Sequence, residues 1–291
     1  MMLRPFCAWS NEPPDLPLDL NKTPWQPNVM TIFEFCRSTI AANDKDYRAG
    51  LFRGEGESRG LFSLLECAEE SCPPHRTEPG KFSDEVSVKN TGETAFQRAI
   101  YKDPNRYICF GNQPEPITWN DIELPITFSN HGRNHGRRRC IDLIGCTKSR
   151  GTFLCELKHA KERHAPAGNL ADHAILEALI YYGIVARDHA KLDEAGVRRD
   201  ACSPFQWAAL KDSRTILVLA NFRFWEKARK AKAASRIHAL VNAIEEKVQV
   251  KVLLIATPDY HFRDLTGHSE GKYRPRLLLS ESDSAPWAKA L

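Results

Sequence analysis

The sequence predicts an α/β fold in which helices flank a mixed central sheet. Three observations carry that prediction. Short apolar runs of strand length recur at 214–220 (RTILVLA) and 249–257 (QVKVLLIAT). A helical pattern of apolar residues separates them from an earlier pair of strands at 140–158. The resulting order, helix, strands, helix, strand, helix, strand, reads as an α/β sandwich with a mixed sheet.

The elements follow from local chemistry. Residues 29–42 (VMTIFEFCRSTIAA) and 59–70 (RGLFSLLECAEE) have amphipathic helical spacing, between polar stretches rich in Gly and Pro. Residues 1–28 are proline-rich and irregular, so residues 1–88 are expected to form an N-terminal accessory region, largely helical or irregular. A domain at 89–291 is expected to hold the sheet. TGETAFQRAIY, from Thr91, reads as its first helix. Strands are expected at 106–111 (RYICFG) and 123–129 (ELPITFS). Asn169 is a predicted N-cap for a helix to about Leu192, because Leu170, Ala174, Ile175, Ala178, Leu179, Tyr182 and Val185 keep the helical period. A long helix over 222–247 and a last strand at 274–280 complete the reading.

Composition narrows the class. The 291 residues are 42% hydrophobic, enough for a core, and no apolar run reaches the ~18 residues of a membrane span. No membrane partner is expected. The irregular, acid- and proline-bearing start does not read as a secretory signal. The nine cysteines form no regular framework, and several sit inside strand patterns; a reducing cytoplasmic compartment is expected. The formal net charge is +4, yet residues 130–164 hold nine Lys/Arg against three Asp/Glu, so the rest of the chain is slightly acidic. That basic zone suits a polyanionic substrate, although a solvated hairpin rim would look the same.

The densest chemistry lies in residues 140–158, CIDLIGCTKSRGTFLCELK. Two apolar strands flank a polar turn, and they carry Asp142, Glu156 and Lys158. Carboxylates on core strands are costly unless paired. Side chains alternate along a strand, so Glu156 and Lys158 share one face. A five-residue loop at 147–151 pairs Cys146 with Thr152, Ile144 with Leu154 and Asp142 with Glu156. Directly opposed Cβ atoms lie roughly 4.5–5.5 Å apart. A divalent cation between the two acids would relieve their repulsion, and hard oxygen ligands suit Mg²⁺, with Mn²⁺ as a substitute. Lys158 can then orient or help deprotonate an attacking water, or neutralise transition-state charge.

Asp142, thirteen intervening residues and then Glu156-Leu157-Lys158 resemble the PD-(D/E)XK nuclease superfamily, which has a restriction-endonuclease-like αβββαβ core. The resemblance covers about residues 91–225. It implies that Asp142, Glu156 and the Leu157 backbone carbonyl hold the metal, and that Lys158 assists water attack. Glu93, on the preceding helix, looks like the family's additional acid. Glu177 stands where many relatives carry Gln, and His173 lies one turn earlier. Ile141 stands where the family usually has Pro. The resemblance implies a Mg²⁺-dependent nuclease, an endonuclease rather than an exonuclease, acting on DNA in preference to RNA, in restriction, phage defence or repair. It also allows a homodimer or a helicase or ATPase partner. The rival readings are an RNA-directed nuclease of the same fold and an inactive nucleic-acid-binding or scaffold protein that has kept the fold.

Context supports the choice of ExK string. Two others occur, but Glu245-Glu246-Lys247 ends a charged helix and Glu270-Gly271-Lys272 lies in a polar loop. Arg133, His135, Arg137 and Arg138, in the lead-in NHGRNHGRRR, are candidate phosphate-binding groups, as are Lys148 and Arg150 at the turn. A solvated loop explains these cations equally well. The basic residues of 222–247 read first as the charged outer face of a helix, and Phe224 and Trp225 as packing residues. Cys67, Cys72 and His75 lack a second half for a zinc site. No GxxxxGK[ST] phosphate-binding loop is present.

Overall fold

A computed structural model describes residues 30–45, 55–70, 85–87, 92–103, 106–110, 113–125, 140–160, 170–198, 204–260, 272–275, 277 and 286–291. The chain order is α1 (Ile32–Lys45), α2 (Glu55–Glu70), β1 (Val86–Ser87), α3 (Glu93–Tyr101), β2 (Arg106–Cys109), β3 (Pro114–Pro125), β4 (Cys140–Thr147) and β5 (Gly151–Lys158). It continues with α4 (Ala171–Glu194), α5 (Trp207–Ser213), β6 (Thr215–Asn221), α6 (Phe222–Ala228), α7 (Ala231–Val248), β7 (Lys251–Thr257), β8 (Lys272–Tyr273) and β9 (Ala288–Lys289). The fold is α/β, with a mixed seven-stranded sheet ordered β2-β3-β4-β5-β6-β7-β9. The β5–β6 and β6–β7 pairs are parallel and the other neighbours antiparallel. A separate two-stranded ladder joins β1 to β8.

Helices cover both faces. On one, α4 and the helices around it bury Ile175, Leu179, Phe35, Leu65, Trp207 and Trp225 against Ile144, Leu154, Ile216, Val218 and Leu254. On the other, Phe96, Ala99 and Ile100 of α3 meet Leu143, Phe153, Cys155, Leu157, Leu217 and Leu219. Every residue of β6 is buried, as expected of a parallel strand covered on both sides. Its neighbour β5 is equally buried from Phe153 onward, so Glu156 and Lys158 are drawn into the interior with Phe153, Leu154, Cys155 and Leu157.

Helices α1 and α2, which the sequence reading assigned to an accessory region, contribute to the same core as α4. The first turn of α1 is closed by a capping box: Glu34 N–H donates to Thr31 Oγ1 at 3.3 Å, and Thr31 N–H donates to Glu34 Oε2 at 3.0 Å. Gly183 lets α1 approach α4. A Cβ there would lie 2.7 Å from the Phe33 ring and 3.0 Å from Ile32 Cγ2.

Several boundaries differ from the sequence expectation, each for a physical reason. The strand expected from 123 begins earlier, at Pro114, and is described to Pro125, with residues 126–129 outside the described residues; its prolines 114 and 116 lie in the part that pairs with β2 alone. The helix expected over 222–247 is two helices, because Lys230 takes extended dihedrals (φ −62°, ψ 133°) between them. The cap of α4 is Leu170, without a side-chain hydrogen bond, rather than Asn169. Of the strand expected at 274–280, residues 274, 275 and 277 are not in a strand and residues 276 and 278–280 lie outside the described residues; β8 covers Lys272–Tyr273. Helix α5 and strands β1 and β9 were not expected.

The sheet's two edges meet at residues 286–291. Trp287 N–H donates to the Tyr107 carbonyl at 2.9 Å, and Cys109 N–H donates to the Trp287 carbonyl at 2.7 Å. The next two residues pair with Ile255 and Ala256 of β7. The Trp287 indole is buried and donates to the Tyr260 hydroxyl at 2.7 Å.

Two outcomes are expected from these contacts. Gly183→Ala should cost about 1–2 kcal/mol, because overpacking against α1 outweighs the roughly 1 kcal/mol gained in helix propensity; urea denaturation measures it. Trp287→Ala should cost about 3–5 kcal/mol through the cavity it leaves in a closed seam. A melting temperature within 2 °C or so of wild type for Trp287→Ala would show the seam to be dispensable.

Candidate functional site

The hairpin β4–β5 sets the site. Its register pairs Cys146 with Thr152, Ile144 with Leu154 and Leu143 with Cys155, the register read from the sequence. The loop is shorter than expected. Thr147 and Gly151 are themselves paired, leaving a turn of Lys148, Ser149 and Arg150. Gly151 closes it at φ 66°, a conformation that a residue without Cβ takes without strain.

The ladder ends at Leu143–Cys155, one residue before Asp142 would face Glu156. There the Asp142 side chain substitutes for backbone pairing: Leu157 N–H donates to its Oδ2 at 2.8 Å. Gln97 of α3 fixes the same residue, its amide donating to the Asp142 carbonyl at 2.9 Å and to Oδ1 at 3.1 Å. Gln97 lies one helical turn after Glu93, and that i,i+4 spacing was the signal available for it.

Lys158 is the hub. Its ammonium lies 2.6 Å from Glu156 Oε1, 3.2 Å from Glu177 Oε2 and 4.0 Å from Glu93 Oε1. His173 Nδ1 lies 3.7 Å from the same Glu177 oxygen, one turn along α4. Glu93 Oε2 also accepts the His159 N–H at 3.4 Å. Glu93, Asp142, Glu156, Lys158, His173 and Glu177 are thus gathered from α3, β4, β5 and α4. Tyr181, one further turn along α4, is buried and belongs to the same electrostatic neighbourhood, where burial pushes its phenol up.

The charges do not balance. Burial pushes Asp142 up to about 8, with the Lys158 ammonium opposing it. Burial also raises Glu93, and it raises Glu156 well above the usual carboxylate range with Glu177 adding to it. Burial works against the Glu177 charge too, but Lys158 and then His173 outweigh it and hold that carboxyl low. Burial would lower Lys158, yet Glu156, Glu177, Glu93 and Asp142 together keep it protonated well above its ordinary range. Burial lowers His173 against the pull of Glu177. One ammonium therefore serves four carboxyls, and Glu156 Oε2 is buried with no hydrogen-bond partner.

This donor set fits a hard divalent cation: it is made of oxygens, holds more carboxyls than cations and has one unsatisfied buried carboxylate oxygen. Among the described residues, however, no group of three or more His, Cys, Asp or Glu side chains is already arranged to hold a metal ion. The nearest cation to Glu156 is the Lys158 ammonium.

Other candidates lie elsewhere. Lys148 and Arg150 stand at the opposite end of the hairpin, about 20 Å of strand from Glu156; Arg150 packs 5.8 Å over the Phe110 ring. They do not flank the carboxyls, because the turn and the acids occupy opposite ends of the two strands. Arg133, His135, Arg137 and Arg138 lie outside the described residues, as do Cys72 and His75. Leu157 is buried in β5. No described helix is long and apolar enough to cross a membrane. No family model, curated protein or solved structure gives a significant match to this chain.

The Asp142 shift has a definite sign. Its folded value lies above the ordinary value near 4, so the stability linked to its protonated form is complete below about pH 4 and is lost as pH rises through about 8. Without divalent ions, melting temperature should fall as pH rises from about 4 to about 8. Asp142→Asn should flatten that decline, and Mg²⁺ should raise the melting temperature at pH 8 in wild type but not in Asp142→Asn. Parallel pH slopes for the two proteins would contradict this.

Proposed function

We propose that this protein is a Mg²⁺-dependent nuclease of the PD-(D/E)XK type that hydrolyses phosphodiester bonds in DNA. The observation that carries the reading is the buried Lys158 ammonium, 2.6 Å from Glu156 and ringed by the acids of three further elements. Such a surplus of buried carboxyls is costly in a merely structural ion pair. It is what a site for a cation and a phosphodiester would require.

Asp142, Glu156 and the Leu157 carbonyl would hold the cation, which supplies Lewis acidity at the scissile phosphate. Gln97 and the Leu157 N–H fix the Asp142 carboxyl, so its oxygens need little reorganisation. Lys158 stays protonated, so its work is to orient water and to neutralise charge growing on the phosphate, not to abstract a proton. Glu177 and Glu156 hold that ammonium in place. Glu93 has the most exposed carboxyl of the four and a raised affinity for protons, which suits it to accept one from water.

A second reading, a non-catalytic nucleic-acid-binding protein on the same scaffold, is favoured by one observation: the described acids are not already arranged as a metal cage. Cleavage assays separate the two. The full chain with Mg²⁺ or Mn²⁺ should cut plasmid or oligonucleotide DNA, and EDTA should abolish cutting. Asp142→Ala, Glu156→Ala and Lys158→Ala should each lose about 100-fold or more in rate, while Arg150→Ala keeps wild-type activity. Parallel RNA substrates test the DNA assignment. Failure to cut any nucleic acid, or cutting unchanged in Lys158→Ala, would overturn the nuclease reading.

A further inference from the structure

Two large hydrophobic side chains are exposed among the described residues, and one, Phe222, stands at the same end of the sheet as the carboxyls. It is 42% exposed at the start of α6, whereas Phe224 and Trp225 beside it are 5% and 0% exposed. The connection to the site is short. Lys158 is followed two residues later by Ala160, at most about 7 Å of chain. Ala160 N–H donates to Asn221 Oδ1 at 2.9 Å, and Asn221 Nδ2 donates back to the Ala160 carbonyl at 3.0 Å. Phe222 is the next residue.

The surroundings of Phe222 are cationic and partly fixed. Arg229 lies over its ring at 5.5 Å and donates from Nε to the Ala290 carbonyl at 3.2 Å. Lys230 and Lys232 are exposed at the start of α7. Arg223 is held against Asp259 at 3.7 Å, and Glu226 is the exposed acid of α6. Helix α7 is tied to the site's other flank, since Arg236 pairs with Asp172 at 2.9 Å, immediately before His173. An exposed ring with a guanidinium laid over it, followed in the chain by exposed lysines, is the combination that can hold a strand's bases by stacking and its phosphates by charge. A paired base in a duplex offers no free face to such a ring.

We propose that Phe222 is a stacking platform for an unpaired base of single-stranded DNA, with Arg229, Lys230 and Lys232 taking the neighbouring phosphates. This rests on the nuclease reading for the direction in which the strand runs, from the platform toward Lys158. It gives that site a substrate class: single-stranded DNA, or duplex with an unpaired end.

The test is fluorescence anisotropy of the full-length chain with labelled oligothymidylate and with a duplex, in EDTA so that no cutting occurs. Phe222→Ala should weaken oligothymidylate binding about tenfold while changing duplex binding less than about twofold. Phe222→Trp should keep wild-type affinity. Arg229→Ala should weaken binding and reduce the salt slope by about one. Equal oligothymidylate affinity in Phe222→Ala and wild type, or equal losses on both probes, would overturn the platform. Tighter binding of oligouridylate with the same dependence on Phe222 would overturn the DNA assignment. Cleavage with Mg²⁺ on the same variants keeps the two proposals apart. Cutting without dependence on Phe222 removes the platform and leaves the nuclease, whereas Phe222-dependent binding without cutting does the reverse.

Discussion

The Lys158 ammonium sits inside the protein among carboxyls drawn from α3, β4, β5 and α4, and the placement of all four elements is tied to it. A buried ammonium without these acids would shed its proton, and the acids without it would be less soluble in the interior still. Apolar packing on both sides of β5 forces this arrangement inward: Phe153, Cys155 and Leu157 face α3, and Leu154 faces α4. The strand is too apolar to surface, so its two charged residues must find partners where they are. The carboxyl surplus around Lys158 is then a store of unfavourable charge, released when protons or a cation enter.

The same constraint explains why two helices approach the hairpin from opposite sides. Helix α3 brings Glu93 and Gln97, one turn apart, to the end of β4 and β5. Helix α4 brings His173 and Glu177 with the same spacing. Neither pair is held by its own helix alone; each is positioned by the hydrophobic face its helix buries. Packing errors of an ångström in either core would therefore be felt at the charges, although the packed residues never touch them.

Much of the sheet centre was legible because its signals are local. Strand β6 is a continuous apolar run, and the hairpin register follows from alternation and turn position. Asp142 was legible as a member of the candidate site but not as a residue beyond the ladder, since its capping of Leu157 N–H depends on β4 parting from β5. Strand β3 was misread because Pro114 and Pro116 argue against a strand, and nothing local reveals that this half has one neighbour. The break at Lys230 carries no Gly or Pro. Strand β9 is two residues long, too short for any period. Phe222 looks like its buried neighbours Phe224 and Trp225 in sequence; only the turn of α6 separates them.

The seam at Trp287 bears on how the chain reaches this fold. Strand β2 is synthesised early, but the partner for its outer edge is the segment 286–291, far along the chain. The pairing is highly non-local, so loop-closure entropy must be met before that contact rewards it. While the ribosome is still making the segment, β2 and β7 present open edges that another nascent chain could pair with. The hydrogen bonds of Trp287 thus act as a latch between segments far apart in the chain. Once it engages, Tyr107 and Cys109 of β2 and Ile255 and Ala256 of β7 no longer offer these backbone groups to another chain.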